Sequence, residues 1–179
     1  MVRAVAWYDD DEARAQGGPA IRLLDQTRLP HDETYLDVRT VDVLVKAIVD
    51  LAVRGAPALG AAGALGVVMA MHQGAREGWD EARLAAEVGR IRDARPTAVN
   101  LAWGVDQVRP AMPEGPDAVL SLALALVRDD EAANRELSRL GADWILARTG
   151  LEQVRVVTHC NTGALATTAW GTADRKSVV

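Results

Sequence analysis

The feature that most constrains this chain is a short apolar segment that leads into its single cysteine, Cys160. Residues 154–158 are rich in β-branched side chains and predict a buried strand. A polar turn follows at 161–163, and the small residues after it can begin a helix. Strand, turn and helix in this order predict an α/β unit, where ligands bind at the carboxyl ends of the strands. Cys160 would lie at that edge, beside the partial positive charge of a helix N-terminus.

Cys160 also has a simpler interpretation. A single cysteine after an apolar strand is most often a small buried residue that fills space in the core. His159 does not support a catalytic role of Cys160. Neighbouring side chains of a strand point to opposite faces, so the imidazole would not reach the thiol as a general base. The rest of the chain must therefore distinguish a functional thiol from a packing residue.

The first forty residues predict a small antiparallel sheet. Short apolar runs at 2–8, 20–25 and 33–38 are separated by compact turns, which is typical of such sheets. From Thr40, a good N-cap, the pattern is helical as far as residue 150. The sequence therefore predicts an α+β fold, a mostly helical N-terminal domain with a small sheet, followed by the start of an α/β domain.

Several helix boundaries can be predicted from single residues. Gly55 ends one helix and Pro57 begins the next, and Thr97 can cap a helix over 98–108. A longer helix is predicted over 117–146. Its middle, 128–136, is strongly polar, so it is either solvated or the helix breaks there.

Glycines recur at helical spacing after Pro57, as Gly60, Gly63 and Gly66. Such a stripe allows close packing of another helix. It does not match the dinucleotide-binding fingerprint, which has a different spacing and follows a strand.

Composition excludes several classes of protein. A net charge of −5 argues against a nucleic-acid surface, and one cysteine excludes an internal disulfide, which fits a cytoplasmic protein. The three histidines lie far apart and show no metal-ligand spacing. The apolar run 56–71 is too short and too rich in Gly and Ala for a membrane span, and the acidic N-terminal region does not fit a signal peptide.

Two arginines precede predicted helices, in the motifs Arg54-Gly55-Ala56-Pro57 and Arg95-Pro96-Thr97. The first amides of a helix are unpaired and attract anions, and a guanidinium adds a fixed fork for phosphate oxygens. Each arginine could instead cover a helix end or pair with an acid. Together with the turn after Cys160 they favour a phosphate pocket. The polar stretch 25–28 is predicted to be a solvated turn.

With these residues the chain resembles the methylthioribose-1-phosphate isomerases, within the superfamily of the initiation factor 2B alpha, beta and delta subunits. Four motifs in order along the chain carry the resemblance: Leu23-Leu24-Asp25-Gln26, Val53-Arg54-Gly55-Ala56-Pro57-Ala58, Arg95-Pro96-Thr97-Ala98-Val99-Asn100-Leu101, and Thr158-His159-Cys160-Asn161-Thr162-Gly163-Ala164-Leu165-Ala166-Thr167.

The resemblance implies an isomerase of methionine salvage. It would convert the aldose 5-methylthioribose 1-phosphate to the ketose 5-methylthioribulose 1-phosphate without a cofactor or metal, as a homodimer in the cytoplasm. It also implies that Arg54, Gly55, Ala56 and Arg95 bind this sugar phosphate, and that Cys160 is catalytic.

The resemblance further divides the chain into an N-terminal domain, 1–150, and the first strand, turn and helix of a Rossmann-like domain, 151–173. Residues 174–179 resemble a non-native tail. The family's catalytic aspartate belongs to a part that would follow, so the resemblance implies a fragment without activity of its own.

Two other functions stay open at this point. A related sugar-phosphate isomerase, such as a ribose-1,5-bisphosphate isomerase, would use the same arginines. A non-catalytic regulatory subunit of the initiation factor would share the fold and act by assembling with partners.

Overall fold

A computed structural model describes residues 3–151 and 154–174. Its sheet has three antiparallel strands in the order β1 (Val5–Tyr8), β2 (Ala20–Leu24) and β3 (Tyr35–Val38). The predicted sheet is therefore confirmed, with shorter strands than the apolar runs indicated. A short helix, α1 (Asp11–Ala15), lies between β1 and β2, in a segment for which no element was predicted.

The sheet has one buried face and one more open face. Ile21 and Leu23 on β2 are fully buried in the core. Arg22, between them, points to the other face and forms a two-pronged ion pair with Asp37, its cross-strand partner on β3. The nitrogen–oxygen distances are 2.6 and 2.7 Å. The alternation of side chains along β2 thus fixes which face meets the helices.

Acid should weaken this fold partly through Asp37. The hydrogen bonds from Arg22 lower the pKa of the Asp37 carboxyl below its ordinary value of 3.8. The pKa of Asp37 is lower in the folded chain than in the unfolded chain, so its pair with Arg22 stabilises the fold fully above pH 3.8. This stabilisation is lost as the pH falls through the lowered pKa of the folded state. We expect the free energy of unfolding of Asp37→Asn to fall less steeply with decreasing pH than that of the unsubstituted chain. Asp32→Asn, at an exposed site, is the control, and an equal pH dependence in both variants would contradict the assignment.

Five further helices build the rest of the described chain. They are α2 (Val41–Val49), α3 (Ala56–Glu77), α4 (Glu81–Arg92), α5 (Val99–Val108) and α6 (Pro116–Thr149). Thr40 caps α2 as predicted, since its hydroxyl accepts from the Val43 amide. Thr97 does not cap α5, whose N-cap is Ala98 without a side-chain cap. Between α5 and α6 lies a 3-10 helix, Arg109–Glu114.

Helix α3 is the central element of the core. By length and composition it could cross a membrane, alone among the helices of the described residues, but 83% of its most apolar window is buried inside the fold. The helix extends six residues beyond the apolar run 56–71. Its apolar character is therefore used for packing within the domain.

The glycine stripe of α3 allows the close packing that its spacing predicts. A Cβ atom at Gly63 would lie 2.7 Å from the Leu101 carbonyl oxygen on α5, and one at Gly66 would lie 2.6 Å from Leu44 Cδ2 on α2. A Cβ at Gly60 would lie 3.2 Å from the Asn100 carbonyl oxygen, also on α5. The Cβ at Gly66 would also lie 3.3 Å from Ile91 Cγ2 on α4, so the stripe serves three neighbouring helices.

Helix α6 runs without a break through its polar middle, which settles the alternative left open by the sequence. Asn134 and Ser138 are buried on it, and with Asp130 they repeat at intervals of four residues along one face. The polar middle is thus only partly solvated, because this face receives the last described segment of the chain.

The strand predicted over residues 154–158 is absent: these residues form no strand and join no sheet of the described chain. The helix predicted after Gly163 is only a 3-10 turn, Ala164–Ala166. A β-branched run favours a strand but needs a hydrogen-bonded neighbour to become one. The described residues therefore do not confirm the Rossmann-like unit. Of the predicted tail, 174–179, only Asp174 is described.

Candidate functional site

Two of the motifs singled out in the sequence meet backbone to backbone. Gly55 is the N-cap of α3, with a φ of 101°. A Cβ atom built on it would lie 2.3 Å from the Ala166 carbonyl oxygen and 2.5 Å from Ala166 Cα. Only a residue without a side chain permits this approach. The entrance to α3 and the turn after Cys160 are therefore in direct contact.

A third motif joins them through Gln26, which is 8% exposed at the end of β2. Its side-chain amide donates to the Leu165 carbonyl oxygen over 2.8 Å and to the Arg54 carbonyl oxygen over 3.5 Å. Its backbone amide donates to Ala52, 2.9 Å away. The prediction of a solvated turn at 25–28 is therefore wrong for Asp25 and Gln26, both of which are buried.

The segment after this turn is held on α6. The Thr168 hydroxyl and backbone amide both donate to Asp130 Oδ2, over 2.8 and 3.1 Å. The Trp170 indole donates to the Ser138 hydroxyl over 3.0 Å, and the Arg135 guanidinium lies 4.2 Å from the centre of the Trp170 ring. Contacts on two sides, from α3 and from α6, fix the position of residues 164–170.

Cys160 is exposed, in a bend between residues 154–158 and the 3-10 turn. Its φ of 56° lies in the left-handed region, which costs a residue with a Cβ atom about 1–3 kcal/mol. The interpretation of Cys160 as a buried packing residue is therefore wrong. The expected location at a strand tip beside a helix is not found either, since the described residues form neither element there.

The two arginines differ in their relation to the helices. Arg54 is exposed and directly precedes the N-cap Gly55, as predicted. Arg95 is half-buried and lies three residues before the N-cap Ala98, to which its carbonyl oxygen is hydrogen-bonded. It does not immediately precede its helix, contrary to the prediction. Within residues 3–151 and 154–174 neither guanidinium forms an ion pair.

A cleft of about 280 Å³ lies beside this junction. Residues from two of the motifs and one directly after a third line it: Pro57 in the first turn of α3, Asn100 in the first turn of α5, and Thr168. Its wall also includes Trp103, Asp129 and Asp130. The arginines and Cys160 are not among the lining residues. Residues in or beside the motifs thus meet at this cleft. The side chains of Arg54, Arg95 and Cys160, which were predicted to be functional, lie outside it.

Local sequence reasoning missed Gln26 and Asp130 because both act on residues far along the chain. Gln26 bonds to Leu165, 139 residues later, and Asp130 to Thr168, 38 residues later. The signal for Gln26 was its place in the Leu-Leu-Asp-Gln motif. The signal for Asp130 was the four-residue repeat of polar side chains in a helix.

Two similar proteins of bacterial origin are named as isomerases. A Nocardia farcinica protein named "probable bifunctional methylthioribose-1-phosphate isomerase/methylthioribulose-1-phosphate dehydratase" is 48% identical over 165 residues, which cover 92% of this chain and 30% of that protein. A "methylthioribose-1-phosphate isomerase" of Anaeromyxobacter sp. is 46% identical over 158 residues, 88% of this chain and 44% of that protein. The chain spans less than half the length of these relatives.

Two solved structures share the fold. The delta subunit of translation initiation factor eIF-2B from A. fulgidus superimposes with a TM-score of 0.76 at 33% identity, covering 99% of this chain and 52% of that one. The 5-methylthioribose 1-phosphate isomerase from Pyrococcus horikoshii OT3 gives a TM-score of 0.74 at 24% identity, covering 96% and 47%. The second likeness concerns the fold alone.

The profile of the Initiation factor 2 subunit family matches residues 52–178. The match begins just before Gly55 and includes both the helices and the segment that carries Cys160. Since it covers well over half of the chain, this protein belongs to the Initiation factor 2 subunit family.

Proposed function

We propose that this chain is the N-terminal part of an aldose–ketose isomerase that converts 5-methylthioribose 1-phosphate to 5-methylthioribulose 1-phosphate in methionine salvage. The observation that carries the proposal is the contact of Gly55 with Ala166, bridged by Gln26, because it joins an arginine-bearing helix entrance to the segment of Cys160. The names of the relatives at 46% and 48% identity support the choice of substrate.

In this proposal Arg54 and Arg95 bind the phosphate, and Gly55 and Ala56 offer it their backbone amides at the start of α3. The acidic side of the cleft, at Asp129, suits sugar hydroxyls better than a phosphate, since a carboxylate accepts hydrogen bonds and repels anions. The phosphate would therefore lie toward the arginines.

The reaction is an isomerisation, so its atoms balance within the substrate. The ring C1–O bond breaks, the ring oxygen gains a proton, a hydrogen passes from C2 to C1, and the C2 hydroxyl becomes a carbonyl. Proton transfer at these atoms needs positioned side chains. We assign Cys160 to stabilising or relaying charge at the reacting carbons, without a cofactor or metal.

We further propose that residues 1–150 form one domain and that 151–173 begin a Rossmann-like domain completed by residues like those that the relatives have beyond the matched region. The complete protein would be a cytoplasmic homodimer. The chain alone would then lack part of its site and have no turnover.

A chimera tests this function directly. The region of the Anaeromyxobacter sp. protein that matches this chain is replaced by the residues of this chain, and isomerisation of 5-methylthioribose 1-phosphate is measured. We expect kcat/KM within about ten-fold of the parent protein, and no turnover by this chain alone. A folded chimera that turns over only ribose 1,5-bisphosphate would support the related isomerase instead, and one inactive on both sugars would contradict both.

Removing the thiol tests the assignment of Cys160. In the chimera we expect Cys160→Ser to lower kcat by about 100-fold, a typical contribution of a group that moves a proton in the reaction. Val157→Ala, an exposed change nearby that keeps the thiol, is the control and should leave kcat unchanged. Equal kcat values in the two variants would remove Cys160 from the mechanism.

A regulatory subunit is the second candidate function, because the delta subunit of A. fulgidus shares more identity than the superimposed isomerase, 33% against 24%. Such a protein would have no turnover even when complete. The chimera assay therefore separates the two candidates.

A further inference from the structure

We propose that Gln26 is a positioning residue that holds the entrance of α3, residues 54–56, in register with the segment that follows Cys160. The inference rests on the proposed function for its catalytic meaning, but its structural part can be tested independently. None of the proposed substrate-binding or catalytic roles involves Gln26.

The geometry of Gln26 suits this role because it touches both pieces at once. One buried amide nitrogen donates to Arg54, just before the helix, and to Leu165, inside the turn. A side-chain amide has two N–H groups, so it can satisfy two carbonyl oxygens. At 8% exposure, water cannot easily replace either bond.

The backbone around Gln26 is itself fixed. The Asp25 carboxylate accepts from the Thr27 amide over 3.0 Å and from the Thr27 hydroxyl over 2.6 Å, which closes a tight turn. The Asp25 amide donates to the Thr34 carbonyl oxygen over 2.9 Å. The side chain of Gln26 therefore projects from a rigid support at the end of β2.

Gly55 and Gln26 have complementary effects on the junction. The Gly55–Ala166 contact limits how close the turn can come to α3, but a steric contact alone does not prevent sliding. The two directional hydrogen bonds from Gln26 do prevent it, because they are aimed at carbonyl oxygens on opposite sides of the contact.

Two substitutions remove the donors while keeping the length of the side chain. Gln26→Glu places a carboxylate against two carbonyl oxygens. Gln26→Met replaces the amide by a neutral, flexible side chain that donates no hydrogen bond to either oxygen. The matched control is Gln107→Glu, the same change at an exposed position of α5.

The first experiment uses this full chain and measures amide hydrogen exchange. We expect Gln26→Glu to speed exchange of the amides of residues 163–168 by about ten-fold, while α3 stays protected. The reason is that local opening of this segment then costs less free energy. If Gln26→Glu unfolds the chain and α3 loses protection, Gln26→Met is the variant that decides. Exchange at 163–168 equal to that of the Gln107→Glu control would overturn the proposal.

The second experiment uses the chimera and separates KM from kcat. Loss of alignment should lower kcat by about ten-fold or more in Gln26→Met with little change in KM, since the arginines that bind the phosphate remain. A kcat equal to that of Gln107→Glu would overturn the catalytic part. If the unsubstituted chimera is itself inactive, the proposed function fails, while the exchange experiment still decides whether Gln26 positions the turn.

Discussion

Gly104→Ala is expected to be among the most destabilising single substitutions in this fold. A Cβ atom at Gly104 would lie 2.1 Å from the Gly60 carbonyl oxygen and 2.9 Å from Gly60 Cα. Helices α3 and α5 thus cross with their backbones in contact, so neither can accommodate a methyl group without moving. Overpacking of this kind costs about 3 kcal/mol, a large part of the stability of a domain, about 5–15 kcal/mol.

Gly89→Ala provides the matched control for Gly104→Ala. Gly89 lies inside α4, and nothing lies within 4 Å of a Cβ atom built there. Alanine at such a site should raise the free energy of unfolding by about 0.5–1 kcal/mol, because it restricts the unfolded chain and favours the helix. Urea denaturation of both variants measures the two effects. A Gly104→Ala protein as stable as Gly89→Ala would show that α3 and α5 do not cross in this way.

The crossing of α3 and α5 is also the part of the fold that the sequence predicts well. Gly60, Gly63 and Gly66 lie on one face because a helix repeats every 3.6 residues, and small residues on a face permit a close neighbour. The identity of that neighbour was not predictable. Gly104 has no local signal in its own sequence, since its role depends on a carbonyl group some forty residues earlier.

The junction near Cys160 was predictable only in part, for the same physical reason. The motifs around Arg54 and Cys160 could be identified as chemically distinct, but Gln26, which joins them, has the local appearance of a solvated turn residue. In residues 154–158, by contrast, the local pattern predicts an element that the structure does not contain. Their β-branched side chains favour a strand, yet strand formation needs hydrogen-bonding neighbours that a local pattern cannot supply.

Gly55→Ala is expected to separate the entrance of α3 from the turn after Cys160. The new methyl group would overlap the Ala166 backbone, and the backbone conformation of Gly55, at φ 101° and ψ 134°, adds a penalty of about 1–3 kcal/mol for a residue with a Cβ atom. Moving the turn away sacrifices the bond from Gln26 to Leu165, worth about 1 kcal/mol, and loosens the bonds from Thr168 to Asp130. Since undocking costs less than the overlap, the turn should leave while the helices stay folded.

Gly115→Ala is an unusually close control for Gly55→Ala. Gly115 is the N-cap of α6, its φ is 102° against 101° for Gly55, and a proline follows in the first turn of both helices. Nothing lies within 4 Å of a Cβ atom at Gly115. The ψ angles are 134° at Gly55 and 170° at Gly115, so the two variants carry similar backbone penalties and differ chiefly in the overlap with Ala166.

Hydrogen exchange and chimera kinetics should separate the two glycines. In Gly55→Ala we expect residues 163–168 to lose protection while α3 keeps it, and kcat/KM of the chimera to fall by about 100-fold, as when a reacting group is misplaced by about 1 Å. In Gly115→Ala only the global stability should fall, by about 1–3 kcal/mol. If both variants lower stability alone, with residues 163–168 equally protected, the contact between Gly55 and Ala166 does not hold the site together. Because the backbone penalties are similar, a loss of protection at residues 163–168 in Gly55→Ala alone reports on that contact.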